Sequence, residues 1–327
     1  WTKIYLVCTK SLNLQLLVSF ALSKKFFFIF GILIFYVIFI AYSDFQEFSI
    51  NISQFDFSYL PIILAFVFLG IMIKSLRQQL LYKQIEVCIS FKTGILLFIS
   101  GLSMEATPGG SGELIKSYYL KKKFGYPLAK TFPTVIMERL LDLTGIAGIL
   151  LIVGLLLDNY NIILLMLILL STLSLIFASG KKKKLFNFLL SIIEKIPILK
   201  KQASSFSESY QVFGELTSGK IMTKTLGLSF FVWMTDAIMI YFIFVGFNLN
   251  FDIIFSTFSM YSSLLLGVLT MIPAGVGVTE VSFVEILKSE GVDTATSTSL
   301  VILFRLVTIW FLTGLGFCAT RYFLKNN

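Results

Sequence analysis

Two arginines stand inside apolar stretches long enough to cross a bilayer. Arg139 lies in Met137-Glu138-Arg139-Leu140-Leu141-Asp142, and Arg305 in Leu303-Phe304-Arg305-Leu306. On insertion scales a charge at the bilayer centre costs about 2.5–3.5 kcal/mol, so such residues have a function or a tight partner. A guanidinium differs from an ammonium there, because its planar fork grips phosphate or carboxylate through two hydrogen bonds. Carboxylates accompany both arginines. Glu138 and Asp142 are four apart on one helix face, and Asp142 is three from Arg139, within pairing reach. Asp236 falls mid-helix in Trp233-Met234-Thr235-Asp236, and Glu113 and Glu280 each follow a Pro/Gly break. Glu105 and Glu285 sit nearer segment ends and rank second. Two readings stay open. These charges are mutual ion pairs that lock helices together, or they line a polar cavity. In the cavity, Arg139 and Arg305 hold an anionic group while Glu113, Glu138, Asp142, Asp236 and Glu280 balance or release it.

The breaks have chemistry of their own. They read Thr107-Pro108-Gly109-Gly110-Ser111-Gly112 and Ile272-Pro273-Ala274-Gly275-Val276-Gly277. A P-x-G-x-G pattern can turn backbone N–H groups toward a ligand at the start of a half-helix, where the dipole favours anions. Pro108, Gly110, Ser111 and Gly112, and likewise Pro273, Gly275, Gly277 and Thr279, are therefore candidate backbone anion sites. Ser111 and Thr279 add hydroxyl donors. Tight helix packing is the commoner use of such glycines. Other chemistry is excluded. The 327 residues contain no His, and Cys8, Cys88 and Cys318 are far apart. Without His there is no Ser-His-Asp or Cys-His nucleophile, and without a C-x-x-C pair no thiolate cluster. No catalytic residue, metal site or cofactor is expected.

These residues must be positioned by membrane helices. The chain is 57% hydrophobic and only 14% charged, with a mean hydropathy of +0.88. A soluble domain holds about 25% charged residues. The composition predicts an all-α polytopic membrane protein. At about 20 apolar residues per span, the full spans are 26–42, 59–76, 131–157, 160–178, 225–246 and 296–319. Two shorter apolar stretches, 91–104 and 253–272, run into the breaks. Each break is followed by an amphipathic segment, 113–123 and 279–289. Each stretch and its follower are read as a re-entrant helical hairpin, which requires an interior position for the break. The chain begins at Trp1, which suggests residues upstream, and its first apolar run reads as an anchor and not as a signal peptide.

The two copies match beyond the breaks. From Pro108 to Gly125 is 17 residues and from Pro273 to Gly291 is 18; from the prolines to Arg139 and Arg305 is 31 and 32. Basic residues set the orientation. Segments 1–25, 74–92, 116–130, 181–224 and 321–327 hold 24 of the 27 Lys and Arg, while 43–58, 158–159 and 247–252 hold none. The positive-inside rule then puts both termini in the cytoplasm. It also makes the repeats inverted, a recurring transporter plan. One domain covers 1–327, with repeat one about 91–157, a cytoplasmic linker about 181–224 and repeat two about 253–321. The linker opens with Lys181-Lys182-Lys183-Lys184, and Phe186, Leu189, Leu190, Ile193 and Ile196 then form the apolar face of a surface helix. Topology accounts for the net charge of +9, so nucleic acid is not an expected partner.

Pro108-Gly109-Gly110-Ser111-Gly112-Glu113, Glu138-Arg139-Leu140-Leu141-Asp142, Pro273 to Glu280 and Arg305 together resemble the lysylphosphatidylglycerol synthase transmembrane region, or flippase-like domain family. The likeness covers about residues 20–320. It implies an integral protein of the cell membrane that translocates a lipid between leaflets. In bifunctional relatives the lipid is an aminoacylated phosphatidylglycerol, and other relatives are linked to polyprenyl-phosphate or glycolipid pathways. No stretch of these 327 residues reads as the soluble aminoacyl-transferase domain of the bifunctional members, so synthase activity is not expected of them. The expected partners are lipids with an anionic or phosphate-bearing head group, with a second copy or a lipid-synthesising enzyme left open. Two rival functions remain. One is a glycosyltransferase-like enzyme that acts on a lipid acceptor with Glu113 or Asp142 as base. The other is a non-catalytic membrane scaffold.

Overall fold

A computed structural model describes residues 36, 37, 39, 45–104, 113–193, 209–270 and 272–325. Most of the first expected span, the whole first break with Pro108, Gly110, Ser111 and Gly112, and Glu105 lie outside the described residues. Among those described, all regular structure is helical: α1 (Phe45–Gln54), α2 (Leu60–Gln84), α3 (Phe91–Leu102), α4 (Ile115–Phe124), α5 (Leu128–Leu156), α6 (Tyr160–Ser179), α7 (Lys183–Ile193), α8 (Tyr210–Leu216), α9 (Gly219–Gly246), α10 (Ile253–Leu269), α11 (Val278–Ser289), α12 (Thr294–Arg305) and α13 (Phe311–Lys325). A π-helical turn, Leu306–Trp310, joins the last two. Among the described residues five helical stretches are long and apolar enough to cross a membrane: Phe57–Gln84, Leu128–Leu156, Tyr160–Ser179, Gly219–Gly246 and Thr294–Phe323. Leu164, Leu165, Leu167, Ile168 and Leu175 are exposed along α6, an apolar surface that suits lipid and not water. The chain is an all-α polytopic membrane protein.

Local chemistry sets the helix starts. Asp252 caps α10 and Asp293 caps α12, each carboxylate accepting a backbone N–H at 2.8 Å. Pro133 lies inside α5 and withholds an N–H from the Ala129 carbonyl four residues back. The Ser209 hydroxyl donates to that carbonyl instead, at 3.1 Å. The second span is longer than the expected 59–76. Hydropathy ends it at Lys74, yet the helix runs on to Gln84 because its polar residues find partners inside the protein. The Gln78 amide donates to the Gly94 carbonyl at 3.1 Å and the Gln79 amide to the Ile89 carbonyl at 2.8 Å.

Both expected hairpins contain two helices that pack on each other: α3 with α4, and α10 with α11. In the second, Gly267 lies against Gly275 and Thr279. A Cβ on Gly275 would stand 3.0 Å from the Gly267 Cα, so small residues allow the close approach. Phe283 of α11 and Phe255 of α10 both lie 6.3 Å from Phe244, so α11 runs back along α10. Gly125 and Gly291, the matched glycines, both take left-handed backbone, φ 76° and 86°, just past the second helix of each hairpin. The hairpins meet different halves of the last span: α13 packs on α3, and α12 on α11. In the linker, the described part of the surface helix is α7. Its Lys181 to Lys184 region is exposed while Phe186 is buried against Tyr210, ring centroids 4.7 Å apart.

Candidate functional site

A cavity of about 290 Å³ lies among α2, α5, α9, α10 and the last span. Its wall is mainly apolar, and into it project Lys74 and Arg77 from α2, Glu113, Glu138, Arg139 and Asp142, Asp236 from α9 and Arg305 from α12. Six of the seven expected charges thus share one cavity, and Glu280 is bonded to Arg305 behind its wall.

The charges are paired. Arg139 meets the Glu113 carboxylate, and its second nitrogen is 3.6 Å from Asp142. In the other copy Arg305 Nε is 2.8 Å from Glu280. Each intramembrane arginine therefore meets the glutamate that follows the break of its own repeat. Exposure differs between them: Arg139 is 36% exposed and Arg305 only 1%. The Arg139 side chain lines the cavity part-exposed, with its Nε buried, whereas the Arg305 guanidinium also donates to the Ala274 carbonyl at 3.2 Å and ties down the second break.

That break is not an open anion site. The N–H groups of Gly275 and Val276 donate to the carbonyls of Ile272 and Pro273, at 2.9 and 3.1 Å. Gly277 N–H donates to Glu280 Oε2 at 2.7 Å, and the Tyr36 hydroxyl donates to Glu280 Oε1 at 2.8 Å. Ala274, Gly275 and Gly277 take positive φ values of 54°, 63° and 92°, which point the turn back on itself. The anion held by this turn is the protein's own Glu280. Thr279 is buried against Gly267 and Gly275 and packs the hairpin. Glu285 pairs with Lys288 at 2.9 Å on an exposed face, away from the cavity.

Three cations counted toward orientation in the basic segments 74–92 and 116–130 also belong to this cluster. Lys116 is fully buried, with its ammonium 3.0 Å from Glu113 and 2.5 Å from Glu138. Its stem lies against Gly101, where a Cβ would stand 2.7 Å from Lys116 Cδ, and Phe98 faces its ammonium at 5.1 Å. Arg77 is buried, 2.8 Å from Asp142 and donating to the Ser229 hydroxyl at 2.8 Å. Lys74 sits 3.9 Å from Asp236 and 5.0 Å from the centre of the Trp233 ring. Signals for two of them were present. Arg77 is one of only four arginines in a lysine-rich chain, and Lys116 is three residues from Glu113. Glu138 and Asp142, expected on one face, both reach the cavity but serve different cations.

Among the described residues the cluster holds five cations (Lys74, Arg77, Lys116, Arg139, Arg305) and five carboxylates (Glu113, Glu138, Asp142, Asp236, Glu280). Such an arrangement can receive an anion at Arg139 and Lys74, the two cations still accessible at the wall.

Comparison with known proteins adds the family. A model for the lysylphosphatidylglycerol synthase TM region matches residues 26–316. A UPF0104 membrane protein of Methanocaldococcus jannaschii is 27% identical over 244 residues, 71% of this chain and 96% of that protein. One from Pyrococcus horikoshii is 27% identical over 278 residues, covering 76% and 82%. One from Methanothermobacter thermautotrophicus is 21% identical over 289 residues, covering 81% and 84%.

Proposed function

The chain belongs to the lysylphosphatidylglycerol synthase TM-region family, and from that premise we propose that it is a lipid translocase of the cell membrane. It moves a phosphate-bearing lipid, an anionic phospholipid or a polyprenyl-phosphate-linked lipid, between leaflets. The observation that carries this reading is the Arg139 side chain, 36% exposed and paired with Glu113 at the wall of a cavity whose other arginines are buried. The head group enters the cavity and its phosphate exchanges for Glu113 on Arg139, with Lys74 as second cation. Arg305 and Glu280 keep the second hairpin closed on itself beside it. The apolar remainder of the wall keeps water from competing for the charges. Val268 and Ile272 belong to that wall and are also exposed, which supports a route by which acyl chains stay in the bilayer. Both termini lie in the cytoplasm and the two hairpins enter from opposite faces, so that the cavity opens to one leaflet at a time.

The test is Arg139→Gln in proteoliposomes carrying a fluorescent phosphatidylglycerol or a fluorescent polyprenyl phosphate, with an impermeant quencher reporting the outer leaflet. Translocation should fall to the rate of protein-free vesicles while thermal unfolding stays close to that of the parent. Full transport of both lipids by the variant would refute the role of Arg139.

A further inference from the structure

Among the described residues the charges of the cluster sum to zero before any lipid arrives: five cations are set against five carboxylates. A phosphodiester head group adds one negative charge. Left uncompensated in a mainly apolar cavity, that charge is strongly unfavourable. One positive charge must enter with it.

The distances say where it goes. Glu113, Glu138, Asp142 and Glu280 each have a cation at 3.0 Å or less. Asp236 has only the Lys74 ammonium, at 3.9 Å, and both residues are partly open to the cavity. The other groups that face Asp236 do not compensate it. Asp142 of α5 is itself an acid, and Arg77 of α2 is committed to Asp142. Tyr261 of α10 donates its hydroxyl to the Trp233 carbonyl. Arg305 of α12 lines the same cavity and is committed to Glu280. The loosest pair in the cluster is therefore one whose own cation, Lys74, is part-exposed at the cavity.

We propose that lipid binding is coupled to uptake of one proton at Asp236. The arriving phosphate draws the Lys74 ammonium away from Asp236, and the bared carboxylate takes, at one of its Oδ atoms, a proton given up by a buffer acid in bulk solvent. The donor's bond to that proton is the one bond broken, its conjugate base stays in solution, and the occupied cavity is neutral again. A head group that carries its own ammonium would bring this charge with it and should bind without proton uptake. This proposal rests on the reading of the cavity as an anionic head-group site.

The probe is dihexanoyl phosphatidylglycerol, whose phosphodiester stays monoanionic over the range used, added to the full chain in detergent. Calorimetry in two buffers of different ionisation enthalpy counts the protons. Affinity should rise as the pH falls, approaching tenfold per unit where uptake reaches one proton per lipid. Asp236→Asn should bind with a flat pH profile and no proton uptake. Dihexanoyl phosphatidylcholine, which has no net charge, should bind without proton uptake. A flat profile and no uptake in the wild-type chain overturns the proposal, as does a wild-type slope in Asp236→Asn. If that variant does not fold, the wild-type proton count decides. Binding that needs Arg139 but ignores pH sinks proton coupling alone. Failure to bind phosphatidylglycerol at any pH sinks the coupling, and it denies the anionic site on which the proposal rests.

Discussion

Replacing Lys116 by Met probes the buried half of the cluster. Met fills nearly the same space against Gly101 and Phe98 but carries no charge. Glu113 keeps its contact with Arg139, while Glu138 loses the ammonium at 2.5 Å. Removing one partner of a buried pair costs about 3–5 kcal/mol, because the remaining charge is left uncompensated. At about 2 °C per kcal/mol, the value for larger domains, the unfolding midpoint should fall by about 6–10 °C. Adding Glu138→Gln removes the orphaned charge. The double variant should then recover most of the loss, since replacing both partners is far less costly than replacing one. Scanning fluorimetry in detergent reads all three midpoints. A Lys116→Met midpoint within about 2 °C of the parent, or a double variant less stable than the single, would refute a buried ion pair at this position.

Gly316→Val should destabilise the seam between α13 and α3. A Cβ at Gly316 meets the backbone of Leu102 and Ser103 directly, so the helices must part at a cost of about 1–3 kcal/mol or more, which the same thermal assay reads. Orientation is tested with Lys121→Cys, exposed in the last turn of α4, and Glu290→Cys, exposed just past α11, in a chain freed of Cys8, Cys88 and Cys318. Impermeant maleimide should label the first from the cytoplasm and the second from outside; labelling of both from one side refutes inverted hairpins.

The spans were legible because about 20 apolar residues in a row have few other uses. The repeat was legible because it pairs unusual features at matched spacing: Pro, Gly and an intramembrane Arg. Its copies agree in the left-handed Gly125 and Gly291 and in the Glu–Arg contact within each repeat. Lys74, Arg77 and Lys116 were not legible as site residues. A cation near a helix end reads equally as topology or as a buried partner, and only the packing of α2 against α9 and α4 against α5 decides. The second break misled for a similar reason. Its glycines do make an anion-binding turn, but spacing cannot say that the anion is the side chain of Glu280 three residues on.

The π-helical turn at Leu306–Trp310 gives the last span one residue more than an α-helix of the same rise would use. That surplus is absorbed locally, because a π-helical stretch turns and rises about as far as an α-helical one with a residue fewer. α12 therefore keeps the face it turns to α11, and α13 the face that seats Gly316 on Ser103. Deleting one residue within the turn would restore an unbroken α-helix and leave that seat in register, whereas deleting one from α13 ahead of Gly316 would swing Gly316 by about 100° off it. The turn also sets how Thr308 and Ile309 meet the cavity wall. The span is thus tolerant in length at this turn, and a residue lost there should alter the cavity more than the seam.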